Sequence, residues 1–259
     1  VDYPLYLANK AVETGQWLAV QHKYSQKLYA RVALADEKSI EKAIRAAVKA
    51  EAEMAKLQPF QKQKILLQCV QRFQEMREEL VEILIAEGGK PRLAAMAEVE
   101  RLINTFQIAA DAVSQLDEGR ILPLAVTAAA ANYQGMVKHV PIGAVSLISP
   151  FNFPLNLTAH KIAPAIAAGC PFVLKPASAT PISALKIAEV LAETDLPKGA
   201  FSVLPCEREQ ADVLVTDDRF KLLSFTGSDV VGWDMKARAG RKKVTLELGG
   251  NAAVMIEPD

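Results

Sequence analysis

The chain has 259 residues, 51% hydrophobic and 23% charged, an ordinary globular balance with room for one large domain or two modest ones. Thirty basic residues match thirty acidic ones, and a formal charge of zero argues against a nucleic-acid partner, whose phosphates demand excess Lys and Arg. No apolar run approaches the ~20 residues that span a bilayer, and Val1–Tyr6 lacks the basic start and apolar core of a signal peptide, so neither a membrane nor a secretory role is expected.

In chain order, short extended segments are predicted at Leu5–Leu7, Trp17–Val20 and Lys27–Val32. Asp36 is placed to cap a helix running to about Leu57, with Ile40, Ile44, Ala47 and Val48 on one face. A second helix starts near Pro59, carries Leu66, Val70, Phe73 and Met76 on one stripe, and should stop near Gly88-Gly89. A third runs from about Pro91 to Leu116. None of the three carries obvious chemistry. Residues 119–141 break the helical period and read as a projecting β-hairpin, a candidate for subunit contact because its edges need cover.

From Pro141 the rhythm is strand, turn, helix, repeated. Strands are predicted at Ala144–Ser149, Pro171–Leu174, Phe201–Leu204, Phe220–Phe225, Lys243–Leu246 and Ala252–Ile256. Helices are predicted at Leu155–Ala168, Ile182–Glu193, Arg208–Val215 and Asp229–Arg238. Short apolar strands alternating with helices imply βαβ units, a mostly parallel sheet and right-handed crossovers.

Three widely spaced cysteines (Cys69, Cys170, Cys206) form neither a disulfide framework nor metal-ligand spacing, and the three histidines are scattered, so no metal site is expected. A reducing cytoplasm is the simplest compartment for them. Each cysteine reads best as a small buried hydrophobe.

The unusual residues gather just past the carboxyl ends of the strands, the edge of an open α/β sheet where ligands bind. Thr226-Gly227-Ser228 joins a strand to a helix, with Gly232 five residues after Gly227. The helix N-terminus offers amides to a phosphate, although a simple turn capped by Ser228 explains the segment equally well. The Gly-x-Gly-x-x-Gly fingerprint is absent. Lys175 leaves a buried strand ahead of Pro176, placed for a ribose hydroxyl or phosphate, or else is a solvated strand end. Ser178 adds a small neutral hydroxyl there, where a carboxylate would repel a ribose 2′-phosphate. Asn152 either donates to a developing oxyanion, worth ~3 kcal/mol in a transition state, or caps the following helix. Glu247 ends an apolar strand; burial would raise its pKa and suit it to a general base, whereas pairing with Lys242 or Lys243 is the plainer alternative.

Four segments, Ser149-Pro-Phe-Asn-Phe-Pro154, Val173-Leu-Lys-Pro-Ala177, Phe225-Thr-Gly-Ser228 and Leu246-Glu-Leu-Gly-Gly-Asn251, in this order and spacing resemble the aldehyde dehydrogenase superfamily. The resemblance runs from about Tyr6 to the last residue. It implies an α/β fold with a variant Rossmann-like sheet flanked by helices, forming a dinucleotide-binding domain over 1–259 with the 119–141 hairpin as its oligomerisation element. It further implies NAD or NADP as cofactor. Ile148, Ser149, Pro150 and Phe151 would line the cleft, Lys175 would bind the adenosine ribose, and Gly227, Ser228 and Gly232 would lie by the pyrophosphate. Asn152 would be the oxyanion amide and Glu247 the general base.

The implied reaction oxidises an aldehyde to a carboxylic acid through a cysteine thiohemiacetal and thioester. Glu247 favours release of a free acid, and Ser178, where NAD-preferring members often carry Glu, leans toward NADP or dual use. The family's nucleophile lies some tens of residues past Glu-Leu-Gly-Gly in a separate catalytic domain, and none of Cys69, Cys170 and Cys206 matches it. The chain, which opens on Val1 and closes on Asp259, is therefore expected to be the first half of such an enzyme, inactive alone, in a homo-oligomer (dimer or tetramer). A truncated paralogue acting as a scaffold is the alternative; retention of Asn152 and Glu247 speaks against it. A generic Rossmann reductase would want the glycine fingerprint and a Tyr-x-x-x-Lys pair, and the one such spacing, Tyr6 to Lys10, falls in an extended segment.

Overall fold

The computed structural model describes residues 1–116 and 119–257. The chain starts with short strands β1 (Asp2–Tyr3), β2 (Leu5–Leu7), β3 (Lys10–Val12), β4 (Trp17–Gln21) and β5 (Leu28–Ala33). Helix α1 (Glu37–Lys56) follows, its N-cap Asp36 accepting the Ser39 amide at 2.8 Å and its buried face made of Ile40, Ala43, Ile44, Ala47, Ala50 and Met54.

The single helix expected from Pro59 to Gly88 is two, α2 (Pro59–Glu75) and α3 (Arg77–Gly88). Met76 adopts φ −91°, ψ 9°, a conformation outside the helical well, and re-aims the apolar stripe so that Leu80, Val81 and Leu84 stay buried. No proline or glycine marks that break. Gly89, at φ 69°, ends α3 in the left-handed conformation that glycine tolerates best. Helix α4 (Arg92–Leu116) then packs against α2, with Phe106 meeting Phe73 edge-on at 5.0 Å between centroids.

Strands β6 (Arg120–Pro123) and β7 (Gln134–Val137) form the expected antiparallel hairpin, with the alanine run curled into a 3-10 turn at Ala128–Ala130. The alternating half comprises β8 (Val145–Ile148), α5 (Asn156–Ala167), β9 (Phe172–Lys175), α6 (Pro181–Ala192), β10 (Phe201–Val203), α7 (Val213–Thr216), β11 (Leu222–Gly227), α8 (Asp229–Arg238) and β12 (Lys243–Leu248). The helix expected over Arg208–Val215 is shorter, a 3-10 turn at Gln210–Asp212 running into α7. Ala252–Ile256 forms no strand: β12 ends at Leu248, and residues 249–257 carry no regular structure.

Seven strands make the main sheet in the order β12-β11-β8-β9-β10-β2-β3. The five from β12 to β10 are parallel, whereas β2 and β3 extend the other side antiparallel. A smaller sheet, β1-β5-β4, covers one flank. Helices lie on both faces, as a parallel sheet requires, and all four residues of β8, Ser146 included, are buried for that reason. No helix among the described residues is long and apolar enough to cross a membrane.

Candidate functional site

Parallel pairing brings the carboxyl ends of β9, β8, β11 and β12 to one edge of the sheet. The register sets Lys175 beside Ile148, Ile148 beside Phe225, and Thr226 beside Glu247. Every site residue expected from the sequence lies on or just beyond that edge, except Gly232, one turn into α8. The side chains, however, divide between the two faces of the sheet.

On one face, α7 and α8 close a cleft of about 180 Å³ lined by Ile148, Lys175, Phe225, Arg208, Val231 and Met235 among others. Lys175 is not a solvated strand end. It is partly buried, its Nζ donates to its neighbour's carbonyl, Pro176 O, at 3.1 Å, and it forms no ion pair among the described residues. Desolvation accordingly holds its pKa below the usual lysine value. Arg238 at the same cleft is already neutralised by Asp212 and Asp234. A half-buried ammonium beside Ile148, Phe225, Val231 and Met235 is a donor that fits a ribose or phosphate oxygen, such as the adenosine end of a dinucleotide presents.

Ser228 occupies the N-cap position of α8, yet its side chain makes no capping bond, so the first-turn amides are not consumed by it. The two glycines are demanded by the protein's own packing. A Cβ on Gly227 would stand 2.5 Å from the Phe225 ring, and one on Gly232 2.4 Å from Leu248 Cδ2. Their absent side chains let α8 settle on β11 and β12.

The loop after β8 has a buried beginning and an exposed tip. Ser149 is buried and its Oγ accepts from Thr158 Oγ1 at 3.0 Å, while Pro150 is half-buried and Phe151 exposed. Asn152, also exposed, accepts the Phe153 amide on Oδ1 at 3.1 Å, which leaves its NH2 as the donor without a partner among the described residues. It does not cap α5. That task falls to Glu98 of α4, whose Oε1 accepts the amides of Leu155 at 2.9 Å and Asn156 at 3.2 Å. Ser178 is exposed and lies outside the cleft lining.

On the opposite face, α4 and α5 border an apolar groove of about 560 Å³ lined by Thr105, Ile108, Ala109, His160 and Pro164, with Glu247 at its rim. The alternation of β12 explains the division: Val244, Leu246 and Leu248 pack toward α8, and Thr245 and Glu247 face the other way. Neither alternative for Glu247, burial or pairing with a neighbouring lysine, is observed. It sits exposed on the sheet's outer strand, bonded to Thr226 Oγ1 at 3.0 Å and not to Lys242 or Lys243. Beneath it, Lys161 is buried, donates to Ser224 Oγ at 2.9 Å, and is pushed down to about 8 by desolvation, a shift that the Glu247 carboxylate opposes. Burial also lowers the pKa of His160.

Lys161 and His160 do not stand out as site residues in the sequence, although a Lys inside the apolar run Ala159–Ala167 is itself a signal. Glu98 and Arg208 carry none. All three cysteines are buried, and burial raises each thiol's pKa, that of Cys206 to about 11, so none is a ready thiolate at this edge. No cluster of metal ligands occurs among the described residues.

Fold and edge together define a parallel α/β protein with a small, lysine-bearing cleft on one sheet face and an apolar groove with a carboxylate at its rim on the other. The model of the aldehyde dehydrogenase family matches residues 10–259. The 3-sulfolactaldehyde dehydrogenase of Priestia aryabhattai is 36% identical over 259 residues, covering 100% of this chain and 54% of that protein. The crystal structure of aldehyde dehydrogenase 21 from Physcomitrella patens, in complex with the reaction product succinate, superposes with a TM-score of 0.95 at 50% identity over 97% of this chain and 52% of that one. NADP-dependent glyceraldehyde-3-phosphate dehydrogenase from Bacillus halodurans C-125, complexed with NADP, gives 0.92 at 28% identity over 96% and 53%. The chain belongs to the aldehyde dehydrogenase family, and it spans about half the length of these relatives.

Proposed function

We propose that this chain is the cofactor-binding part of an NAD(P)-dependent aldehyde dehydrogenase that oxidises an aldehyde to a carboxylic acid. The observation that carries the reading is the pairing of two unlike sites across one sheet edge. Lys175, partly buried and without an ion-pair partner among the described residues, lies on one face, and Glu247 stands at the rim of an apolar groove on the other. Residues of the first site would hold the adenosine half of a dinucleotide, and Ser228 and Asn152 would line the edge between the two sites. When bound, the nicotinamide supplies the hydride acceptor.

The chain's own residues supply the rest. Lys175 and the α8 N-terminus orient the cofactor, with Ile148, Pro150 and Phe151 along its path. The free NH2 of Asn152 donates to the carbonyl oxygen as it gains charge. Glu247 takes a proton from the water that releases the acid, and its exposure lets that water reach it. The burial of Cys69, Cys170 and Cys206 supports a nucleophile that is none of these three, and on this reading the chain by itself turns over no aldehyde. Ser178, neutral and exposed, accepts either NAD or NADP. The exposed Ile121 and Met136 of the β6–β7 hairpin suit it to contact between subunits of a homo-oligomer.

Titration of the 259-residue chain with NADP and with NAD, followed by calorimetry, tests the proposal. Saturable binding is expected, weakened about ten-fold or more by Lys175→Met, since a charge-assisted hydrogen bond contributes ~1.5–3 kcal/mol. Absence of binding at millimolar dinucleotide overturns it. Aldehyde turnover by the pure chain, lost in Glu247→Gln, overturns the placement of the nucleophile.

A further inference from the structure

Two glutamates that no catalytic step uses are buried at either end of the α3–α4 corner. Glu87, the penultimate residue of α3, is fully enclosed and accepts the amides of Ile182 and Ser183 at 2.8 Å each, together with the Ser183 hydroxyl. Glu98, in the second turn of α4, is equally enclosed and accepts the amides of Leu155 and Asn156. One carboxylate therefore closes the start of α6 and the other the start of α5. These are the helices that follow the two site loops, 176–180 after Lys175 and 149–154 after β8.

Between the glutamates, Lys90 completes the arrangement. Its ammonium pairs with Glu98 Oε2 and stands 3.7 Å from the centre of the Phe153 ring, one residue past Asn152. The Arg101 guanidinium faces the same ring from 5.7 Å. The loops are also tied directly, Thr180 Oγ1 donating to Phe151 O at 3.4 Å.

A buried carboxylate is costly unless fully bonded, and ordinary capping needs none: α1 manages with a surface-side Asp36. Enclosed glutamates reaching from a different helix fix where a loop ends in space, as a local cap does not. We propose that the α3–α4 corner, residues 87–98, is a positioning device in which Glu98 with Lys90 sets the Asn152 loop and Glu87 sets the Lys175–Ser178 loop. The inference rests on the roles proposed above for those loops. Burial pushes Glu87 up to about 7 against the pull of its three donors, a sign of how completely water is excluded from the corner.

The test uses the 259-residue chain, labelled with 15N, as wild type and as Glu98→Ala, Glu98→Gln, Lys90→Met and Glu87→Gln. Amide exchange, the Asn152 side-chain NH2 resonances and affinity for AMP are measured. Glu98→Ala and Lys90→Met are expected to shift the Asn152 resonances and speed exchange at Leu155 and Asn156 about ten-fold, the size of one charge-assisted bond, with AMP affinity unchanged. Glu98→Gln, keeping an acceptor, should restore most of that protection. Glu87→Gln should instead free Ile182 and Ser183 and weaken AMP several-fold, leaving the Asn152 signals in place. Variants that lower the melting temperature while leaving the Asn152 resonances and AMP affinity at wild-type values overturn the proposal, because the glutamates are then merely structural. If Glu98→Ala does not fold, Lys90→Met decides the question through the same resonances and exchange rates. Should wild type bind no AMP, the cofactor reading fails, and the positioning of Asn152 stands or falls on its resonances alone.

Discussion

Thr226 and Glu247 face each other in register on β11 and β12, and the threonine hydroxyl donates to Glu247 Oε2 at 3.0 Å. The bond holds an exposed carboxylate at the groove's rim, with no ion pair to it among the described residues. Glu247→Gln is therefore expected to leave stability within about 0.5 kcal/mol, as surface changes do, and dinucleotide affinity unaltered, checked by urea melts and calorimetry. A large loss of stability would show that the carboxylate has a buried structural partner after all.

Gly232 and Leu248 are a packing pair. A methyl group on Gly232 meets Leu248 Cδ2 at 2.4 Å, so Gly232→Ala is expected to cost about 1–3 kcal/mol by overpacking. Leu248→Ala in the same chain should recover part of the loss, and a double-mutant cycle measures it. Strict additivity would mean that the two do not touch.

Lys161 titrates near 8 in the folded chain instead of 10.5 because burial disfavours its charge. The unfolded chain thus binds more protons between those values, and stability should rise as the pH climbs from 8 to 10.5. Lys161→Met removes the penalty. Its advantage should approach about 3 kcal/mol below pH 8, less whatever the lost bond to Ser224 contributed, and fade by pH 10.5. An advantage independent of pH would sink the assignment.

Ser178→Glu places an anion beside the ribose position ascribed to Lys175. Affinity for NADP is expected to fall several-fold relative to NAD, since like charges repel, and the difference should shrink at high salt because Ser178 is exposed to water. Parallel titrations with both nucleotides decide it.

The repeating strand–helix rhythm and the four edge loops were legible because each rests on local patterns: short apolar runs, glycine and proline punctuation, and polar residues that break an apolar strand. What escaped was everything set by distant partners. Met76 breaks a helix with no local breaker, and Ala252–Ile256, apolar enough for a strand, stays irregular and exposed. Glu98 looks like any helical surface acid until Leu155 and Asn156, 57 and 58 residues away, are folded onto it. Likewise, the exposure of Glu247 follows from its place on an outer strand, which strand spacing alone does not reveal.

The pleat of β12 turns acid and oil to opposite sides, with Glu247 toward the groove and Leu246 and Leu248 toward α8. Removing a single residue from the short connection at 239–242 would slide the strand by one place and invert it, driving the carboxylate in among Phe225 and Met235 while stranding two leucines in water. The length of that connection is thus as tightly specified as the identity of the acid, and an indel there should be tolerated less well than most point changes on the strand itself.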